Sequence, residues 1–461
     1  MRIGRFWKGI RAGALACAVG AGGGGAAGAE TLTDALIMAY QNSGLLEQNR
    51  ALLRAADEDV ASAVSAVRPV IRYFANSDYA LNTPQSGADR LTTTVGLTAE
   101  LTLFDFGRNQ LAIDAARETV MAAREGLIGV EQQVLLRAVG AYMSVRRETE
   151  FVRLRENNVR LISQELQAAQ DRFEVGEVTR TDVALAESRL ASARAGLAAT
   201  KGALAQAREE YRAAIGQYPG ALAAAPARPQ TAGSLEEAQA NARRNHPDVR
   251  RAQREVTVTD LNQQRIGTAK LPSLSLTGRA SLDANGNRNG SVGVQIGGTL
   301  YQGGQLKSLE RRGAAQRDAA RAGLLVATQQ VILNAGNAWA SLTVARSSIE
   351  ATDRQITAAD IAYSGTREEA SLGARTTLDV LDAEQELLDA RANRVSAETD
   401  AQIAAYNLLA AMGYLTVRHL DLGVVAYDPA EYYDAVKDAP WRGESEQGQR
   451  LDALLERLGR E

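Results

Sequence analysis

A single cysteine, Cys17, stands among 461 residues. One thiol builds neither a disulfide framework nor a thiolate metal site. Histidine is almost as scarce: His246 and His419 lie far apart and share no metal-ligand spacing. No phosphate-cradling glycine loop and no nucleophile elbow are present, so an enzyme is not expected, nor a cofactor or a metal. Aromatic residues make up only 5 % of the chain. That is thin material for a broad globular core and suits helices packed at close range. The formal net charge of −3 leaves no basic stripe for nucleic acid. No stretch beyond the first 29 residues approaches the ~20 apolar residues of a membrane-spanning helix. If this chain crosses a bilayer, it does so as strands.

Residues 1–29 read as an export signal. Arg2, Arg5, Lys8 and Arg11 form the positive end, an Ala/Gly/Val/Leu stretch follows, and Ala27-Gly28-Ala29 offers small residues for cleavage. Removing this segment takes away four basic and no acidic residues, so the mature charge is −3 − 4 = −7. Ala14-Leu15-Ala16-Cys17 is an alternative lipoprotein reading, in which leucine sits one place too close to the cysteine.

Two distant stretches are copies of one object. Residues 174–194 and 371–391 share Gly176/Gly373, Thr179/Thr376, Asp182/Asp379, Glu187/Glu384 and Leu190/Leu387, at a spacing of 197. In each, a helix stops at a glycine suited to the left-handed conformation. A threonine then restarts a helix as its cap, with aspartate three residues on to complete a capping box. Each copy is therefore a tight turn between antiparallel helices. The copies differ where Val178 gives way to Arg375 and Leu185 to Asp382. The second turn thus carries an arginine and a carboxylate that the turn itself does not need.

The duplication extends through the mature chain. Asn42 matches Asn245 and Pro69 matches Pro272 at a shift of 203; Phe104 matches Tyr301 and Gly216 matches Gly413 at a shift of 197. The expected divisions are the signal at 1–29, a first repeat at 30–216, a Pro/Ala-rich linker at 217–233, a second repeat at 234–413 and a tail at 414–461. Residues 31–68 read as helix with a break near Asn42-Ser43-Gly44. After Pro69 the period changes from 3.6 to 2: Leu91, Val95, Leu97, Leu101 and Leu103 alternate with Thr92, Thr94, Thr98, Glu100 and Thr102. Residues 274–282 and 292–300 alternate likewise. Turn-rich loops at 82–87 and 285–290 make each half one hairpin, at about 69–104 and 272–301. Then come helices over about 108–173 and 305–372. At ~1.5 Å per residue, such a helix is ~100 Å long, too long for a globular domain to bury and suited to a coiled coil or helical barrel. Return helices run to about Gly216 and Gly413. Residues 446–460 read as a charged surface helix or a partly disordered end.

Four strands with an apolar face cannot close a membrane barrel alone, since small single-chain barrels have ~8 strands. Three copies of four give twelve. The other reading is a soluble periplasmic coiled-coil or adaptor protein with the hairpins as a cap.

The two-fold repetition, the proline-led hairpins, the Phe/Tyr-x-x-Gly exits and the Gly-x-x-Thr-x-x-Asp-Val turns together resemble the TolC family of outer-membrane efflux proteins. The resemblance spans about residues 31–413. It implies a mainly α fold with a β-barrel contribution: a homotrimer with a 12-stranded outer-membrane barrel continued by a long periplasmic helical barrel. It also implies a passive conduit working with a periplasmic adaptor and an inner-membrane ABC or proton-driven pump, for drug efflux or type I secretion. By motif match, Asp379 and Asp382 are the pore-constriction carboxylates, and Asp182 with Arg375 belongs to the network closing the periplasmic tip. Asp379 and Asp382, three apart on one helix face, would form a ring of six carboxylates under three-fold symmetry, favouring cations. Gly176, Thr179, Gly373 and Thr376 shape the tip turns. The family's pattern has a tyrosine three residues before the second glycine, where this chain has Ala370.

Overall fold

The computed structural model describes residues 29–79 and 91–439, with Gln449 and Ala453 as isolated further positions. The expected export signal up to residue 28, Cys17 within it, the loop at 82–87 and, but for those two positions, the end of the tail lie outside the described residues. Each half runs helix, helix, strand, strand, long helix, return helix. The first half is α1 (Leu32–Asn42), α2 (Gly44–Ser65), β1 (Val70–Tyr79), β2 (Leu91–Phe104), α3 (Arg108–Glu174) and α4 (Arg180–Ile215). The second is α5 (Leu235–Asn245), α6 (Pro247–Thr268), β3 (Ser273–Asp283), β4 (Arg288–Gly297), α7 (Gln305–Ser371) and α8 (Thr377–Ala411), followed by α9 (Pro429–Val436). The helices α3 and α7 have 67 residues each, or ~100 Å at the α-helical rise.

The predicted break at 42–44 is real. Ser43 caps α2, its hydroxyl accepting from the Leu46 N–H at 3.3 Å. In the second half His246 does the same work, its Nδ1 accepting from the Asp248 N–H at 3.2 Å, with Pro247 opening α6. Asn42 and Asn245, which the repeat pairs in sequence, end α1 and α5 against the C-terminal ends of α4 and α8. Asn42 Nδ2 donates to Ile215 O at 3.0 Å, and Asn245 Nδ2 to Tyr414 Oη at 2.8 Å. There each half folds back on itself. The main core gathers around these joints, with Leu32, Leu135, Tyr142, Tyr211, Leu408 and Met412 inside. The Tyr142 hydroxyl donates to Glu30 O or Ala223 O, both at 3.0 Å.

The four strands form one antiparallel sheet in the order β1-β2-β3-β4. Registry sorts the side chains by face. The rung Tyr73–Leu97–Ala280 and the rung Leu101–Leu276–Val294 lie on the apolar side. Ile71, Tyr73, Leu97, Val292, Val294 and Ile296 on that side are all more than half exposed. The opposite side carries Arg72 paired with Glu100 at 3.3 Å, and Phe74 lying over Gly96 with the Arg279 guanidinium 4.4 Å from its ring centre. The outer edges of β1 and β4 pair with nothing in this chain among the described residues.

The second loop is shorter than its composition suggested. Arg288, Asn289 and Gly290, read as turn residues, belong to β4. Asn285-Gly286 suffices for the reversal because Gly286 takes φ +81° and the Asp283 carboxylate accepts from the Asn285 and Asn287 N–H groups. The strand also ends at Gly297 rather than reaching Leu300.

The tail from Tyr414 to Ala439 is bound down. The Arg50 guanidinium lies between the Tyr40 and Tyr427 rings, 5.1 Å from each centre. Arg124 lies over Tyr433 and donates to Pro429 O at 3.1 Å. Tyr432 donates to Glu58 at 2.7 Å, and the Val417 N–H to Glu131 at 2.6 Å.

Candidate functional site

The end of the molecule far from the sheet is built by the α3–α4 and α7–α8 turns. Phe173, Val175 and Leu372 project there, exposed. Helix α3 ends with the Glu177 N–H reaching back to Arg172 O at 2.9 Å, and α7 with the Ala374 N–H reaching Glu369 O at 2.9 Å. Gly176 and Gly373 take φ of +82° and +79°, the left-handed conformation such reversals need. Thr179 and Thr376 then restart α4 and α8 with complete capping boxes: the Asp182 N–H donates to Thr179 Oγ1 at 3.3 Å, and the Thr179 N–H to Asp182 Oδ2 at 2.9 Å. Thr376 and Asp379 repeat this at 3.2 and 2.9 Å. Such a cap contributes about 1 kcal/mol to its helix.

The caps also set charge. Backbone and hydroxyl donors of Thr179 hold the Asp182 carboxyl below its ordinary range. The same donors of Thr376, with Arg375 beside them, lower that of Asp379. Both aspartates therefore stay ionised well into acid. Asp382 lies a turn further along α8 and caps nothing. Its Oδ1 accepts from Arg189 Nη2 of α4 at 2.6 Å, joining the two helical coils of one chain. Arg375 pairs inside its own chain with Glu369 of the same turn, Nε to Oε2 at 2.9 Å. Asp182 is engaged by Thr179. So one protomer brings together Thr179 with Asp182, Thr376 with Asp379, and Arg375 with Glu369, but not Arg375 with Asp182.

Two contacts between the coils escaped the sequence reading. One is the Arg189–Asp382 bridge. The other lies in the seam behind it, where Asn158 Nδ2 of α3 donates to Glu384 Oε1 of α8 at 3.1 Å. Both residues are buried, and Leu381 of α8 packs nearby against Ile162, Ala186 and Leu190. Glu384 matches Glu187 in the repeat, but nothing local in either copy announces a buried partner.

The helices and turns have clear relatives. The outer membrane efflux protein family model matches residues 36–217 and 239–414, once on each repeat. The chain is 37 % identical over 429 residues to the outer membrane efflux protein BepC of Brucella suis biovar 1, covering 91 % of this chain and 93 % of that protein. It is 26 % identical over 410 residues to the outer membrane protein TolC of Vibrio cholerae, covering 84 % and 92 %. The crystal structure of CusC superposes with a TM-score of 0.75 at 19 % identity, over 83 % of this chain and 91 % of that one. No helix among the described residues is long and apolar enough to cross a membrane. TolC-family channels are trimeric and work with periplasmic adaptors and inner-membrane pumps; they are channels, not enzymes. With both repeats matched in register and a relative similar over nearly its whole length, the chain belongs to the outer membrane efflux protein family, an outer-membrane channel of tripartite efflux or secretion systems.

Proposed function

We propose that three copies of this chain form a passive conduit: a 12-stranded barrel in the outer membrane continued by a helical barrel through the periplasm, closed at the tip by charge pairing between protomers. The carrying observation is the sheet. Its one apolar face is exposed on β1, β2 and β4 and half-buried along much of β3, and its two outer edges pair with nothing among the described residues. Lipid covers such a face and tolerates no open edge, and three four-stranded sheets joined edge to edge leave none. The soluble adaptor alternative gives that face no cover. At the tip, Asp379 and Asp382 line the constriction as a ring of carboxylates. Asp182 of one protomer faces Arg375 of the next, with Glu369 as that arginine's resting partner when the protomers part. Ala370 leaves the tip without the family's tyrosine, so these charges bear more of the closure. A periplasmic adaptor and an ABC or proton-driven pump complete the system.

Single-channel recording of the mature protein in a planar bilayer tests this reading. Small, cation-selective currents are expected. Arg375→Ala or Asp182→Ala raises the conductance several-fold, and Asp379→Ala with Asp382→Ala weakens block by multivalent cations. Wild-type values in all these variants would remove the gate assignment. Failure to insert, from protein that stays soluble without detergent, would remove the conduit.

A further inference from the structure

The buried Asn158–Glu384 contact is incomplete as it stands. Asn158 and Glu384 are only 3 % and 4 % exposed. One hydrogen bond joins them, yet Asn158 Oδ1 and Glu384 Oε2 are both buried without a partner. A buried acceptor left unpaired costs free energy, and here the two orphans belong to one pair of groups. Both are acceptors while Glu384 is ionised. A proton on Oε2 turns that oxygen into a donor, and in an acid–amide pair the acid donates to the amide oxygen while the amide nitrogen donates to the acid's other oxygen. The equivalent positions of the repeat are Glu187 on α4 and Gln355 on α7, both exposed within one chain.

We infer that Asn158 and Glu384 form a proton-operated latch: an acid–amide pair that holds α8 against α3 while Glu384 is protonated and releases it when the proton leaves to water. The latch rests on the proposed conduit, whose tip widens when the coils separate. Its surroundings suit the role. From α3, Glu165 repels the ionised form, and from α7, Arg367 attracts it while Tyr363 lies close by. The packing from α4 is apolar, Ala186 and Leu190, with Arg189 held by Asp382. Arg391 further along α8 is held by Asp360. Burial, with Glu165 adding to it, pushes the Glu384 carboxyl up to about 7, against the opposing pull of Asn158 and Arg367. The folded value lies above the ordinary 4.5. The seam therefore has its full stability below about pH 4.5 and loses it as pH rises through about 7.

Recording the full mature channel between pH 5 and pH 9 tests the latch. The wild-type open fraction should rise about tenfold or more across neutral pH, since the ratio of ionised to protonated Glu384 grows about tenfold for each pH step. Glu384→Gln carries its own N–H donor for Asn158 Oδ1 and should stay closed and flat across the range. Asn158→Leu, which removes the acceptor, should lose the profile and stay open. Asp57→Asn, far from the tip, should keep it. A wild-type profile that survives in Glu384→Gln overturns the latch. Infrared difference spectra of the detergent-solubilised protein read it without any current. A protonated-carboxyl band lost between pH 6 and pH 8 in Asp57→Asn, which removes the other raised carboxyl at Asp57, and missing from Asp57→Asn with Glu384→Gln, supports the latch even if the conduit reading fails. No such band overturns it even if the channel conducts.

Discussion

Gly413→Ala is expected to cost roughly 3 kcal/mol or more, against roughly 1 kcal/mol for the same change at Gly373. Both glycines end a long helix in the left-handed conformation, with φ of +83° and +79°. An alanine meets the same backbone strain at either. What differs is the neighbourhood. A Cβ on Gly373 would meet nothing within 4 Å, whereas one on Gly413 would lie 2.8 Å from Asn245 O and 2.9 Å from His246 Cα. Those are backbone atoms at the joint between α5 and α6 and cannot rotate away. The substitution must push α8 off that joint and open the core beside Leu408 and Met412. Thermal unfolding of the two variants checks this, with Gly413→Ala falling well below Gly373→Ala. Equal falls would mean that backbone strain alone decides, and that the joint yields.

Asp57→Asn should stabilise the protein at pH 8 by roughly 2–3 kcal/mol and leave it unchanged near pH 4. Asp57 lies on α2, fully buried, with both carboxylate oxygens unpaired. Burial raises its carboxyl from an ordinary 3.8 to about 6, the Arg124 charge opposing and the Glu58 charge assisting. The group prefers its proton in the folded state. Its contribution is complete below pH 3.8 and is lost as pH rises through about 6. A carboxyl displaced that far represents roughly 3 kcal/mol. Asparagine has no charge to bury, so the gap between wild type and variant should open between pH 4 and pH 7. Denaturant midpoints across that range measure it. A gap that is constant with pH would show that Asp57 is ionised and solvated in the folded state.

Local patterns account for what the sequence told. Each long helix, each capping box and the alternation in β2 follow from neighbours a few residues apart. Thr179 with Asp182 and Thr376 with Asp379 therefore stand where spacing put them. Composition misled at Arg288-Asn289-Gly290, where polar, turn-prone residues pair as strand because Asn285-Gly286 already closes the hairpin. At the tip, the residues were legible but their partners were not. Arg189 and Asp382 are 193 positions apart, and Asn158 and Glu384 are 226. Only the packing of one coil on the other makes them neighbours, and no periodicity records it. Arg375 shows the opposite limit. Its ion pair with Glu369, six positions away, is local, yet the turn had to be built before Nε could be seen to reach it. The tail had no twin in the first repeat, so nothing foretold the Tyr40–Arg50–Tyr427 stack that fastens it.

The open edges of β1 and β4 carry a consequence for inheritance. In the proposed ring each chain relies on two neighbours to satisfy its outer strands, so one faulty edge spoils three chains. A proline in β4 that leaves the helices intact would yield subunits that still join the ring but cannot close it. In a cell making equal amounts of sound and faulty chains, roughly one ring in eight is built from sound chains alone. Such an allele is dominant, although the protein it encodes is merely defective.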